Sequence, residues 1–104
     1  MPIPRLTHLQ YLVVSSLARR AASGRVVRDH LRAAGVRQSG PAFYQLMAGL
    51  EDGGLVSGWY EQQVVDGQII RERHYKILAA GLRAVDESRA FYRRGAPRTG
   101  LANA

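Results

Sequence analysis

The apolar residues of this chain repeat with two periods, and where the period changes decides what the chain can fold into. Up to Leu50 they recur every three to four positions, the spacing of one helix face. From Leu55 to Leu78 the spacing shortens to about two, the alternation of a half-buried strand. Asp66-Gly67 stands in the middle of that stretch. Asp-Gly between two alternating runs is the strongest short hairpin signal, because both residues accept the positive φ of a two-residue turn. After Ala79-Ala80-Gly81 the helical period returns. The chain must therefore build helices, one hairpin and a last helix within 104 residues. That length allows one modest core and excludes a TIM barrel or a dinucleotide fold with a second domain.

Thr7 caps the first helix, in which Leu9, Leu12, Val13, Ser16 and Leu17 share a face. Tyr11, Val14 and Ala18 form a second apolar stripe beside it, wide enough to pack on the core and on a partner subunit. Arg19-Arg20 suits the negative end of that helix. Ser23 caps a second helix over 24–34, with Val27, Leu31 and Ala34 on its core side and Arg25, Arg28 and Arg32 on another. Gly35 stops it. Ser39 and Pro41 open a third helix, with Phe43, Leu46, Met47 and Leu50 inward and Tyr44, Gln45 and Ala48 elsewhere; Gly53-Gly54 ends it. In the strand from Gln68, Arg71, Arg73 and Tyr75 share one face, and Glu72, His74 and Lys76 the other. The last helix runs to about Arg94, with Leu78, Leu82, Val85 and Tyr92 along one side and Ala84 and Phe91 beside them. Residues 95–104 are expected to be a flexible tail.

Fifteen basic residues against eight acidic give a formal charge of +7, and all the basic residues but Lys76 are arginine. Residues 1–38 carry seven Arg and one acid, residues 39–66 four acids and no base, and residues 67–104 eight bases and three acids. Two basic segments flanking an acidic one imply an anionic partner, most often nucleic acid. A solvated arginine-rich surface is the plain alternative. Without cysteine there is no disulfide framework and no thiolate metal site. His8, His30 and His74 fall on separate elements, not at the His-x-x-x-His spacing of a metal site. Glu51-Asp52 and Asp86-Glu87 are helix neighbours roughly 100° apart, which is no acid–base pair. The glycines read as turns and caps. These features point away from an enzyme, a metal or a cofactor. The sequence has no 18-residue apolar run and no signal-type start, so a cytoplasmic protein without membrane contact is expected.

Three short helices followed by a hairpin make a winged helix-turn-helix, an α+β and mostly helical class with a two-stranded wing. In that layout the second helix contributes Arg25, Arg28 and Arg32, the turn Arg37, Gln38 and Ser39, and the wing Arg71 and Arg73 to a duplex-binding surface. The third helix carries no basic residue, so Gln45 to adenine and Ala48 to a thymine methyl are its readout options. The wing tip, Asp66-Gly67-Gln68, is not basic, so the wing meets DNA through Arg71 or Arg73 on its flank, or not at all.

Tyr44-Gln45-Leu46-Met47, Leu50-Glu51 and Gly54-Leu55-Val56, then Asp66-Gly67, Arg71-Glu72-Arg73-His74-Tyr75-Lys76-Ile77 and Ala80-Gly81, resemble the PadR family over roughly residues 5–92. The resemblance implies a transcriptional regulator, usually a repressor, that binds a pseudo-palindromic operator in double-stranded DNA as a homodimer. It implies a winged-helix domain at 1–78 and a dimerisation helix at 79–94, in the short form of the family. It also implies DNA proximity for Ser39 and Tyr44. The first and last helices would build the dimer contact, here Tyr11, Val14, Ala18, Leu82, Val85 and Tyr92. Trp59, Tyr11 and Tyr92 are either packing residues or the lining of a small-molecule effector cleft between subunits. A winged helix that binds protein rather than DNA is the alternative function, and the acidic end of the third helix suits it.

Overall fold

A computed structural model of the chain describes residues 6–94, Arg94 by its backbone only. The expectation for the 95–104 tail lies outside the described residues. Helix α1 (His8–Ser16) opens on a capping box. The Thr7 side chain accepts from the Gln10 N–H at 3.1 Å, and the Gln10 side chain accepts from the Thr7 N–H at 2.9 Å. The helix stops at Ser16, before its apolar stripe is exhausted. The Ser16 hydroxyl donates to the Val13 carbonyl at 2.6 Å, and such back-bonding competes with the helical ladder. Arg19-Arg20 consequently lies in the bend beyond the helix rather than at its end, contrary to expectation.

Strand β1 (Ala22–Ser23) leads directly into α2 (Gly24–Ala33), and Ser23 serves both. It pairs with His74 across the sheet, and its side chain caps α2 by accepting from the Val26 N–H at 3.2 Å. Ala34, expected in the core, is the exposed C-cap where the chain turns away through Gly35 at φ +84°. Helix α3 (Gly40–Asp52) starts at Ser39 with Pro41 in its first turn and ends at Gly53 and Gly54. Strands β2 (Val56–Val65) and β3 (Gln68–Ile77) form the hairpin. Asp66 and Gly67 both adopt positive φ, +52° and +77°, as the tight turn requires. The sheet order is β1-β3-β2, all antiparallel. The hairpin expected as two-stranded thus gains a third strand, whose two residues are too few to show a period in sequence.

One core joins all four helices and the sheet. Val13, Val14 and Leu17, Val27 and Leu31, Phe43, Met47 and Leu50, Val56 and Tyr75, and Ala84 and Val85 form a single buried cluster. Burying each large apolar side chain contributes about 1.5–3 kcal/mol. Helix α4 (Ala79–Arg94) packs across α1, and the Arg89 Nε donates to the Tyr11 hydroxyl at 3.3 Å. The wide apolar surface of α1 is therefore covered within the chain, by α2 and by the last helix together. Two expectations change as a result. Val14 and Val85, expected at a subunit contact, are sealed within one chain. The inner face of α4 is Gly81, Ala84, Val85 and Ser88, while Leu82 (43 % exposed) and Tyr92 (47 %) remain outside.

The start of α4 sits very close to the end of α3. The Leu55 carbonyl, just past α3, accepts the Leu78 N–H at 3.0 Å. A Cβ on Gly81 would stand 2.3 Å from that carbonyl oxygen and 2.8 Å from the Ile77 side chain. Because the obstacle is backbone, Gly81→Ala should destabilise the protein by about 1–3 kcal/mol. That corresponds to a fall in melting temperature of about 4–8 °C per kcal/mol, read by circular dichroism.

Candidate nucleic-acid interface

Helices α2 and α3 and the hairpin enclose an open cleft of about 420 Å³. Gly24, Arg25, Arg28 and Arg32 line it from α2, Phe43 and Tyr44 from α3, and Tyr60, Arg71, Glu72 and Arg73 from the hairpin. A smaller cleft of about 140 Å³ adjoins it, sharing Arg28 and Arg32 and adding Leu31, Val36, Arg37 and Gln38. The fold therefore gathers the arginines of the second helix, the turn and the wing, far apart in sequence, onto one surface. Two candidates line neither cleft. Gln45 lies on the exposed side of α3 beside Ala48, and the Ser39 side chain accepts from the Ala42 N–H at 3.2 Å as the helix cap.

The cations on this surface differ in how they are held. Arg25 Nε pairs with Glu72 Oε2 at 3.1 Å, and Arg32 Nη1 with Asp29 Oδ1 at 2.7 Å. Both arginines are largely exposed, so solvent screens each pair to about 1 kcal/mol or less, although Glu72 itself is only 18 % exposed. Arg73 is different. Its Nη2 donates to Glu51 Oε1 at 2.7 Å, with both side chains about three-quarters covered. Burial opposes its charge, but the hydrogen bond and attraction of Glu51 outweigh burial and hold the guanidinium above its ordinary range. Arg73, expected as a phosphate contact, is thus tied to the end of α3.

Arg28 Nη2 donates to the Gln38 carbonyl at 3.0 Å, bracing the turn before α3, and its guanidinium lies 5.7 Å from the centre of the Phe43 ring. Arg71 lies over the Tyr60 ring at 4.2 Å, with Arg73 at 4.9 Å from the same ring. Among the described residues no carboxylate pairs with Arg28, Arg37 or Arg71. Between these cations α3 presents Tyr44, 56 % exposed, and the neutral Gln45, Ala48 and Gly49.

Sequence reading missed Tyr60 and the part played by Glu51. The signal for Tyr60 was present: counting back from Asp66-Gly67 places it opposite Arg73. On the other face of the hairpin Trp59 stacks on His74 at 6.0 Å, and its indole N–H donates to Glu61 at 2.8 Å. Trp59 is therefore engaged by its own hairpin. No helix among the described residues is long and apolar enough to cross a membrane.

No protein-family model matches the sequence, and no curated protein matches it. Solved structures do. A PadR family transcription regulator from Clostridium difficile superposes with a TM-score of 0.72 at 17 % identity, over 84 % of this chain and 88 % of that one. A PadR family regulator from Eggerthella lenta gives 0.69 at 26 % identity, over 92 % and 83 %. A Bacillus subtilis PadR solved in complex with operator DNA gives 0.63 at 16 % identity, over 88 % of this chain and 50 % of that one. The expected winged-helix architecture is thereby established.

Tyr75 ties this surface to stability. It is buried, and burial raises its hydroxyl above the usual range for tyrosine. Above about pH 10 the unfolded chain ionises this group while the folded chain resists, so the folded state holds more protons and loses stability as pH rises. Tyr75→Phe should flatten that alkaline decline, measured as denaturant midpoints from about pH 9 to about pH 11.

Proposed function

With the PadR-type winged helix as its fold, this chain, we propose, is a DNA-binding transcription regulator that acts as a homodimer on a pseudo-palindromic operator. The observation that carries the reading is the placement of cations from α2, the turn and the hairpin around a helix that presents neutral Tyr44, Gln45, Ala48 and Gly49 ahead of its acidic end. Such a surface grips phosphates on both sides of a groove while the helix meets base edges. Arg28, Arg37 and Arg71 are the phosphate contacts, and the exchangeable pairs of Arg25 and Arg32 open to add to them. Tyr44 and Gln45 face the bases. Two-fold symmetry sets two α3 helices about 34 Å apart, one turn of duplex. Repression then follows by occlusion of the operator. Residues up to 78 read DNA, and α4 with α1 supplies the subunit contact through Leu82, Tyr92, Tyr11 and Ala18.

The second reading, a winged helix that binds protein, is favoured by the wing tip. Val64 and Ile69 face each other there and are 74 % and 71 % exposed. Salt separates the two. Duplex binding measured by fluorescence anisotropy should fall linearly in log affinity with log salt, and Arg37→Ala should lower the slope by about 0.9. Salt-independent binding would favour the protein partner. Tyr44→Ala should weaken binding with little change in melting temperature, because the side chain is mostly exposed. Leu82→Asp should yield monomers by light scattering. A persistent dimer would place the subunit contact elsewhere.

A further inference from the structure

We propose that Glu51, the acid near the end of α3, is a positioning residue for DNA binding: by engaging Arg73 it keeps Arg71 seated on the Tyr60 ring in the cleft. The inference rests on the DNA-binding reading and adds a residue whose sign of effect is the opposite of what its charge suggests.

Two guanidinium groups share one aromatic ring. With centres 4.2 Å and 4.9 Å from the Tyr60 centroid, they are at most about 9 Å apart. Two bare cations within that separation repel in water by an energy of the same order as the ring's attraction for either of them, so the second cation cancels much of what the ring gives the first. Glu51 at 2.7 Å removes the conflict by making Arg73 half of a neutral pair. Arg71 then has the ring without a competing charge, and no carboxylate among the described residues takes up its own.

The backbone is built for this arrangement. Tyr60 lies directly opposite Arg73 and diagonal to Arg71, both within reach of its ring. Gly58, two residues before Tyr60, lies under the ion pair. A Cβ there would come within 2.8 Å of Arg73 Nη2 and 2.9 Å of Glu51 Oε1. A glycine at this point lets the α3 carboxylate reach across β2 to β3. An arginine held on a ring in advance has less side-chain freedom to lose when it meets a phosphate.

Simple electrostatics predicts that removing a carboxylate beside a phosphate-binding surface strengthens binding. The arrangement described here predicts weakening. The test uses the full chain and a fluorescein-labelled mixed-sequence duplex of about 30 base pairs, three helical turns. Salt-dependent binding by the unaltered protein comes first, and its absence would sink the DNA reading itself. Given that binding, Glu51→Gln should weaken affinity about threefold to tenfold, within the range of a lost cation contact. Arg71→Ala should weaken it comparably and lower the salt slope by about 0.9. The double variant should bind no more weakly than Arg71→Ala alone, since both changes remove the same contact. Tyr60→Leu, at a residue 55 % exposed, should repeat the pattern without burdening the fold. Unchanged or tighter binding by Glu51→Gln overturns the proposal, and so does an additive loss in the double variant. Should Glu51→Gln fail to fold, the pairing of Tyr60→Leu with Arg71→Ala decides by the same criterion.

Discussion

The register imposed by Asp66-Gly67 decides what every residue of the hairpin touches. A two-residue turn leaves one pairing, Val65 with Gln68, and every later pair follows from it. One face then carries Tyr75 into the core, Arg73 beneath Tyr60 and Arg71 at the cleft. The other stacks Trp59 on His74. A slip by one residue would exchange the faces, taking the Tyr75 ring out of the apolar core and turning His74 and Glu72 into it. The positive φ values of Asp66 and Gly67 are thus tied to the core and to the cleft together.

The formal charge overstates what the surface offers a partner. Arg73 is tied to Glu51 with both side chains partly covered, whereas the Arg25 and Arg32 guanidiniums are themselves exposed, so solvent and salt already weaken their pairs. Arg28 is braced on a backbone carbonyl and keeps its charge. The cleft therefore holds cations of three grades, committed, exchangeable and unpaired. Glu51, adjacent to the exposed side of α3, is the partner of the committed cation and is not an open repulsive charge.

Much of this was legible beforehand, and the failures have physical causes. Caps at Thr7, Ser23 and Ser39, stops at Gly35 and Gly53, and the hairpin turn are local signals written in one or two residues, and all are present. The inward stripe of α3 followed from its period, with Phe43, Met47 and Leu50 buried. What stayed hidden depends on elements meeting. Val14 and Val85 look like interface residues until α4 is laid on α1, because a stripe shows that a face is covered and not by which chain. Strand β1 is too short to have a pattern. The Glu51–Arg73 pair joins residues of two elements, and only the folded arrangement shows that Gly58 leaves room for it.

Leu55 has a consequence of its own. Its N–H closes the end of α3 on the Leu50 carbonyl, its carbonyl receives the strand leaving the sheet, and the same oxygen bears on Gly81 at the root of the outermost helix. A single residue, through the two peptide groups on either side of its Cα, therefore joins the end of one helix to the root of the other. No side chain fits between that oxygen and Gly81, so the distance from the root of the outer helix to the end of the inner one is fixed by backbone alone.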